Sequence, residues 1–528
     1  MPEREDENVP DQAKADTVIT SARLWDGRHL DAEAIAIRDG RILATGTDRD
    51  IGALVGESTR SIDAGGRRLI PGLIDSHLHL VRGGRTWADE VRWDDATSLE
   101  EALELLAAKA ADLGAGRWVG VMGGWHPHQF EEGRAPTKAD LDRACPDNPA
   151  FVQRAYAESF ANSRAVAEMG WDPGSDGHVV APPEMAALRA KLAVEDVDHA
   201  ATGTRLLLRE LNRLGLTGAI DASGFGVTAA SYDAFQRVFD EGGAGFRARF
   251  LLGAATPGAE MDDIRRWVSS ATLGTPDGML GNLGAGEVLD YAAHDLEGLE
   301  PKDITARTAA LAEASAFLAE HGWTVHLHSI LDTSLTILLD AWESIDADIA
   351  ALRFCICHAD QIGPENLRRV ADLGVGITIQ NGMSMRGIDC LPTWGEETVT
   401  AAPPVRSMVD LGIPVAAGTD GTVACTYDPW RCISWLVTGR SVDGAPPRRE
   451  EQRLTRDEAL TLYTSAGAWC SFEEDTRGNL RVGSYADLAL LDGDPLTVGE
   501  EHLSGIQSVL TVVDGSIVHS DLPGVETR

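Results

Sequence analysis

Two textures of hydrophobic and polar positions divide the chain. At its start, Ala15-Asp16-Thr17-Val18-Ile19-Thr20, Ala34-Ile35-Ala36-Ile37 and Arg41-Ile42-Leu43-Ala44 are short runs rich in Val, Ile and Thr, and Asp39-Gly40 separates the last two. Such runs between turn signals predict strands. The same texture returns near the end, in Ala486-Asp487-Leu488-Ala489-Leu490-Leu491, in Val509-Leu510-Thr511-Val512-Val513 and, after Asp514-Gly515, in Ser516-Ile517-Val518. The two ends are expected to pair into one small β-sandwich domain over residues 15–68 and 478–528, behind a disordered polar tail of residues 1–14.

Between the ends, short apolar runs alternate with helical stretches of about 10 to 20 residues, the pattern of a parallel sheet built from strand-then-helix units. The strand candidates are Leu69–His79, Thr217–Asp221, Arg247–Leu252, Gly286–Leu289, Thr324–His328, Arg353–His358, Gly374–Gln380 and Ile413–Gly418. Eight such units predict an α/β fold, a (β/α)8 TIM barrel over residues 69–477, with a long insertion at about 85–215 after the first barrel strand. A connection of that length folds on its own rather than running as a loop, and Ser98–Leu113 reads as one of its helices. Asp443–Arg453, with two prolines and three arginines, reads as the clearest exposed loop.

Composition narrows the functional classes. The 528 residues hold 83 acidic against 46 basic side chains, a formal charge of −37 that repels phosphate backbones and anionic lipid surfaces, so neither nucleic acid nor a membrane is an expected partner. No apolar run approaches the roughly 18 residues of a membrane span. Met1-Pro2-Glu3-Arg4-Glu5-Asp6-Glu7 lacks the basic and apolar segments of a secretory signal, and the cysteines at 145, 355, 357, 390, 425, 432 and 470 are few and odd in number. A cytoplasmic protein with reduced thiols, acting on a small-molecule substrate, is expected; assembly into a homo-oligomer is compatible with the sequence.

The chemistry concentrates at strand ends. On a strand, residues i and i+2 share a face, so His77 and His79 project together from the first strand. His326 and His328 end the fifth, His358 ends the sixth, and Asp420 follows the eighth. All strand C-termini of a parallel barrel share one rim, so these side chains converge in one cup and predict a metal site. Cys355 and Cys357 read as core, with Cys357 facing outward because His358 faces inward.

Pro71-Gly72-Leu73-Ile74-Asp75-Ser76-His77-Leu78-His79, the later His328 and His358, and Gly418-Thr419-Asp420 resemble the amidohydrolase superfamily of metal-dependent hydrolases. Gly478–Leu488 and Val512-Val513-Asp514-Gly515 are similar to its C-terminal β-sandwich signature, and the insertion's Gly123-Gly124-Trp125 with Leu327–Asp332 is most similar to the N-substituted formamide deformylase-like branch. The resemblance implies a binuclear centre, two zinc ions with manganese, iron or cobalt as alternatives. Many such enzymes bridge their metals with a carbamylated lysine on the fourth strand. Here Lys14, Lys109, Lys138, Lys191 and Lys302 all lie off the strands, Lys302 at a helix start, and Glu287 stands in the matching place as the direct bridge. The implied ligands are His77, His79, Glu287, His328, His358 and Asp420. The branch usually has a Gly-His pair upstream of an Asn-Ser, whereas this chain reads Ala155-Tyr156-Ala157-Glu158-Ser159-Phe160-Ala161-Asn162-Ser163.

The parts imply hydrolysis of a carbon–nitrogen bond of amide, formamide or carbamate type by a metal-activated hydroxide, with Asp420 as general base. A lactone or ester hydrolase, a decarboxylase or a hydratase on the same site are the alternatives, as is a metal-binding protein without turnover. No G-x-S-x-G elbow or phosphate-binding loop competes. Trp125 and His126, in Trp125-His126-Pro127-His128, are candidate substrate contacts in a lid over the rim, with simple core as the other reading of the tryptophan; Gln380, ending the seventh strand, is the third candidate contact, with a strand cap as its alternative.

Overall fold

The computed structural model describes residues 14–193, 196–224, 227–242, 245–274, 278–293, 295 and 303–527. The tail expected at 1–14 lies outside these residues except for Lys14, and so does Lys302. At the centre stands an eight-stranded parallel sheet whose strands we number β1 (Leu73–Leu78), β2 (Leu216–Asp221), β3 (Arg247–Leu252), β4 (Leu280–Glu287), β5 (Thr324–Ser329), β6 (Cys355–His358), β7 (Gly376–Gln380) and β8 (Val415–Gly418). Each strand pairs with the next in sequence. The sheet curls so that β8 meets β1, where the Asp420 N–H donates to the His77 carbonyl at 2.9 Å and the Thr419 N–H to the Asp75 carboxylate at 3.1 Å. It is a (β/α)8 barrel, and helices such as Val197–Arg213, Ile304–Glu320, Asp332–Glu343 and Pro429–Thr438 bury their apolar faces against it in one continuous core.

Two strands depart from expectation for steric reasons. The apolar run Leu69–His79 is divided at Gly72, with Arg68–Pro71 in a sandwich sheet and Leu73–Leu78 in the barrel. A Cβ on Gly72 would lie 2.1 Å from Thr217 of β2, so the crossing between the two cores admits only glycine. β4 begins at Leu280, well before the expected Gly286, and stops at Glu287. Its glycines conceal it: side chains at Gly284 and Gly286 would strike the Thr324 and His326 carbonyls at 2.1 and 2.2 Å, so close packing on β5 selects residues that weaken a strand signal.

The chain ends meet in two further sheets. One holds Thr17–Thr20, Ala34–Arg38, Arg41–Gly46 and Arg60–Asp63; the other joins Arg23–Leu24 and Arg68–Pro71 to Leu488–Leu491, Ser508–Val513 and Ser516–Ser520. Ile19, Ile35, Ile62, Leu69, Leu488 and Val512 pack in the core between them. Between β1 and β2 the chain builds a separate four-stranded sheet from Val119–Val121, Ala150–Arg154, Glu158–Ala161 and His178–Val179. Trp93, Trp125 and Phe130 anchor its core together with the helix Leu99–Leu113. The segment Asp443–Arg453 is not the free loop its composition suggests. The buried Asp443 carboxylate accepts the Ile388 and Ala445 N–H groups at 2.7 and 2.9 Å, and the buried Arg448 donates to the Ala402 carbonyl at 3.0 Å. No helix among the described residues is long and apolar enough to cross a membrane.

Candidate metal centre

The C-terminal rim of the barrel gathers six potential ligands from five strand ends. His77 lies in β1 and His79 just beyond it, Glu287 ends β4, His328 lies in β5, His358 ends β6, and Asp420 follows β8 by two residues. Their donor atoms form three overlapping groups, His77–His79–Glu287, His77–His358–Asp420 and Glu287–His328–His358, each with all atoms within 4.8 Å of one another. Glu287 sits centrally. One carboxylate oxygen is 3.3 Å from His77 Nε2, 3.6 Å from His328 Nδ1 and 3.8 Å from His358 Nε2, and the other is 3.8 Å from His79 Nε2. Asp420 Oδ1 approaches His79 Nε2 at 3.0 Å and His77 Nε2 at 3.7 Å. His358 and Asp420 hold left-handed backbone, φ +75° and +56°, a conformation that non-glycine residues keep only where surroundings enforce it.

Supporting contacts orient the imidazoles. His79 Nδ1 is 2.7 Å from the Ser223 carbonyl, which only accepts, so Nδ1 carries a proton there and Nε2 faces the cluster. His328 Nε2 lies 3.0 Å from Asp295 Oδ1, which presents His328 Nδ1 to Glu287. Asp295 is itself fixed by the Ile330 and Leu331 N–H groups, both 2.9 Å from its other oxygen. Histidines held by a carbonyl or carboxylate on the far nitrogen are the usual support of metal ligands.

The donor set fits a divalent cation. His77 Nε2 and Glu287 Oε2 are buried and make no hydrogen bond among the described residues, although a buried polar atom left so costs about 1–3 kcal/mol. Imidazole and carboxylate donors suit zinc and, with it, other first-row divalent ions. Electrostatics point the same way. Burial pushes the Glu287 carboxyl upward, yet His328, His358 and His77 overcome it and hold the group well below the usual carboxylate range. Asp420 is brought down to about 2 against its burial, by His79 first. His328, opposed by burial, is lifted to about 10 by Asp295 and Glu287.

Above the cluster opens a solvent-accessible cavity. Glu287, His79, His328, His358 and Asp420 form its floor, and Trp125, Tyr156, Arg154, Met385 and Asp389 are among its walls. Trp125 is 1% exposed and donates its indole N–H to the Gln153 carbonyl at 2.8 Å, so it is core of the inserted sheet with one edge on the cavity. His126 does not line this cavity. It is buried, accepts the His128 N–H at 3.2 Å as a helix cap, and is lowered to about 4 by burial and then by Arg154. Gln380 is also outside, donating to the Thr378 hydroxyl at 3.2 Å beside a separate small cavity. His326 is fully buried, and burial and then His77 lower it to about 3.

Cys357 corrects an expectation. Its thiol interacts with the His77 ring, and Cys355 packs with Ile220, Leu251 and Ala416 of other barrel strands, so both cysteines face the barrel interior. Strict alternation would then send His358 outward; its positive φ turns it back to the rim. Sequence reasoning also missed Asp295 and Tyr156. Nothing local marks Asp295, whose role arises when the segment after β4 returns to β5. Tyr156 occupies the stretch where the resemblance leads one to look for a histidine.

Known proteins share this architecture. The model of a family described as the amidohydrolase family matches residues 60–519. The N-substituted formamide deformylase of Arthrobacter pascens is 26% identical over 534 residues, covering 94% of this chain and 97% of that protein. An uncharacterised metal-dependent hydrolase from Pyrococcus horikoshii superposes with a TM-score of 0.66 at 21% identity, covering 92% of this chain and 99% of the other. Atrazine chlorohydrolase TrzN from Arthrobacter aurescens, solved with zinc, does so with a TM-score of 0.55 at 19% identity, covering 96% and 95%.

Proposed function

Because this chain belongs to the amidohydrolase family of hydrolases, we propose that it hydrolyses an amide, formamide or carbamate-type carbon–nitrogen bond of a small molecule, with His77, His79, Glu287, His328, His358 and Asp420 holding one or two zinc ions. The observation that carries this reading is the set of three overlapping ligand groups, two of which share Glu287, at the floor of the cavity. A divalent ion bound there supplies Lewis acidity, polarising a carbonyl and bringing the pKa of coordinated water towards about 7.

The chain's own residues do the rest. Glu287, in contact with four histidines, sits where a bridge between two ions belongs. Asp420 is ionised at neutral pH and stands at the cavity floor, placed to take the proton of the attacking water and return it to the leaving nitrogen. Trp125 and the inserted sheet close one side of the cavity and exclude bulk water.

The test is a panel of amides, formamides, carbamates and lactones presented to zinc-reconstituted protein, with solvent-oxygen incorporation into the product to separate hydrolysis from decarboxylation or hydration. Asp420→Asn should keep the fold and much of the metal while lowering kcat by at least about 100-fold. Near-normal turnover by a folded, metal-loaded variant would remove Asp420 from the mechanism, and hydrolysis of none of the carbon–nitrogen substrates would overturn the proposal.

A further inference from the structure

The cavity that holds the ligand cluster is also lined by a tyrosine in an unusual setting. Tyr156 is presented by Ala155, whose φ of +45° turns the chain at the end of Ala150–Arg154. Two guanidinium groups lie near its ring, with Arg189 5.4 Å and Arg82 5.9 Å from the ring centroid. Arg82 also donates an N–H to the phenol oxygen. Neither arginine has a carboxylate within ion-pairing distance among the described residues, and the Nε and Nη2 of Arg82 are buried without a hydrogen-bond partner. In a chain with 83 acidic side chains, two half-buried cations beside a tyrosine and no carboxylate on either is a local exception.

The hydrogen-bond inventory of the phenol decides its role. The oxygen accepts from Arg82, and its own proton has no acceptor among the described residues, while the side chain lines the same cavity as Glu287, His79 and Asp420. Burial raises the phenol above its ordinary value even though Arg82 and Arg189 pull it down, so it keeps its proton at neutral pH. A protonated hydroxyl whose lone pair is taken by a cation is a donor, and a strong one, because the neighbouring positive charges favour an acceptor that is gaining negative charge.

Resting on the hydrolytic reading, we propose that Tyr156 is a further catalytic residue, whose hydroxyl donates to the oxygen of the scissile carbonyl, and that Arg82 is the positioning residue that fixes and polarises it. As the water gives one proton to Asp420 and its oxygen bonds to the carbonyl carbon, the carbonyl π pair moves onto the carbonyl oxygen, and Tyr156 holds the resulting oxyanion. When the pair returns, the carbon–nitrogen bond breaks and the nitrogen leaves with the proton from Asp420. Tyr156 gives up no proton in the cycle.

Tyr156→Phe removes one oxygen and leaves the ring beside the two arginines. With zinc-reconstituted protein, methylphosphonate serves as a tetrahedral anionic probe and calorimetry as the readout. Tyr156→Phe should weaken binding about 10-fold and, on any substrate found in the panel, lower kcat about 100-fold with KM changed less than about threefold. Arg82→Met should have a smaller effect of the same kind and add nothing in the Tyr156→Phe background; if Tyr156→Phe does not fold, Arg82→Met against Arg82→Lys carries the test. Absence of methylphosphonate binding to the wild type, or binding within twofold in a folded, zinc-loaded Tyr156→Phe protein, overturns the proposal. Should no substrate be hydrolysed, the hydrolytic reading falls, and the binding arm still decides whether Tyr156 is the anion's donor.

Discussion

The two ends of the barrel bury charge in opposite ways. At the N-terminal end, Arg247 donates to Asp487 at 2.9 Å and Asp514 at 2.7 Å, Arg249 to Glu473 at 2.7 Å, and Arg477 to both Glu473 at 2.9 Å and Asp487 at 3.2 Å. Every carboxylate there meets a guanidinium, and Asp487 and Glu473, although buried, are held below the ordinary carboxylate range by those arginines. At the C-terminal end Glu287 and Asp420 meet imidazoles alone, and Asp75 and Asp221, tied chiefly to N–H and O–H donors, are pushed by burial to about 6. One end is neutralised by the chain itself and ties the barrel to the sandwich. On the proposed reading the other is completed by cations from outside, which separates a structural network from a functional one of similar composition.

Breaking the self-neutralised end should have the largest effect on stability. Arg247→Met leaves Asp487 and Asp514 short of a partner; the loss of one member of a buried ion pair costs about 3–5 kcal/mol, measurable by denaturant unfolding. Zinc bound per folded chain should not change. If the variant instead loses zinc while keeping its stability, the assignment of that network to structure fails.

Glu287→Gln is the converse. It removes the negative charge that two of the three ligand groups share, so at least one of two bound ions should be lost in elemental analysis, with activity reduced by about 100-fold or more. Unfolding of the metal-free variant should differ from that of the metal-free wild type by less than the Arg247→Met effect. Full occupancy by two ions would refute a bridging Glu287.

The rim half of this contrast was legible in the sequence. His77, His79, His328 and His358 sit at apolar strand ends, and because parallel strands share one rim, order along the chain becomes proximity in space. What periodicity could not deliver depends on backbone exceptions and return loops. The left-handed turn at His358 defeats the alternation that would have sent Cys357 outward, and the glycines of β4 hide its length. Arg247 reads on its strand as one more basic residue until Asp487, 240 positions away, folds back beneath it.

Asp295 sharpens the comparison at smaller cost. It touches the proposed ligand set through His328, and such support is generally worth 10–100-fold in metal affinity. Asp295→Asn should therefore weaken zinc binding within that range in competition with a chromophoric chelator, without abolishing it. An unchanged affinity would show that His328 does not depend on this carboxylate.

The smallest effect is a proton. Asp295 and Glu287 lift His328 to about 10 in the metal-free protein, against about 6.5 in an unfolded chain. A basic group raised on folding contributes stability that is fully present below about pH 6.5 and is lost as pH rises through the folded value. At pH 8 the metal-free site therefore carries a proton on His328 that zinc must displace, since a metal takes only the neutral imidazole. Calorimetric zinc titrations at pH 8 in buffers of different ionisation enthalpy should show about one proton more released by the wild type than by His328→Gln. Affinity of the wild type should climb with pH until His328 deprotonates unaided. At the other end, where Arg247 and Arg477 hold Asp487 ionised, Asp487→Asn should leave the proton count on zinc binding unchanged. Equal proton release by wild type and His328→Gln would mean that the rim does not wait in a protonated state, and the electrostatic difference between the two ends would rest on geometry alone.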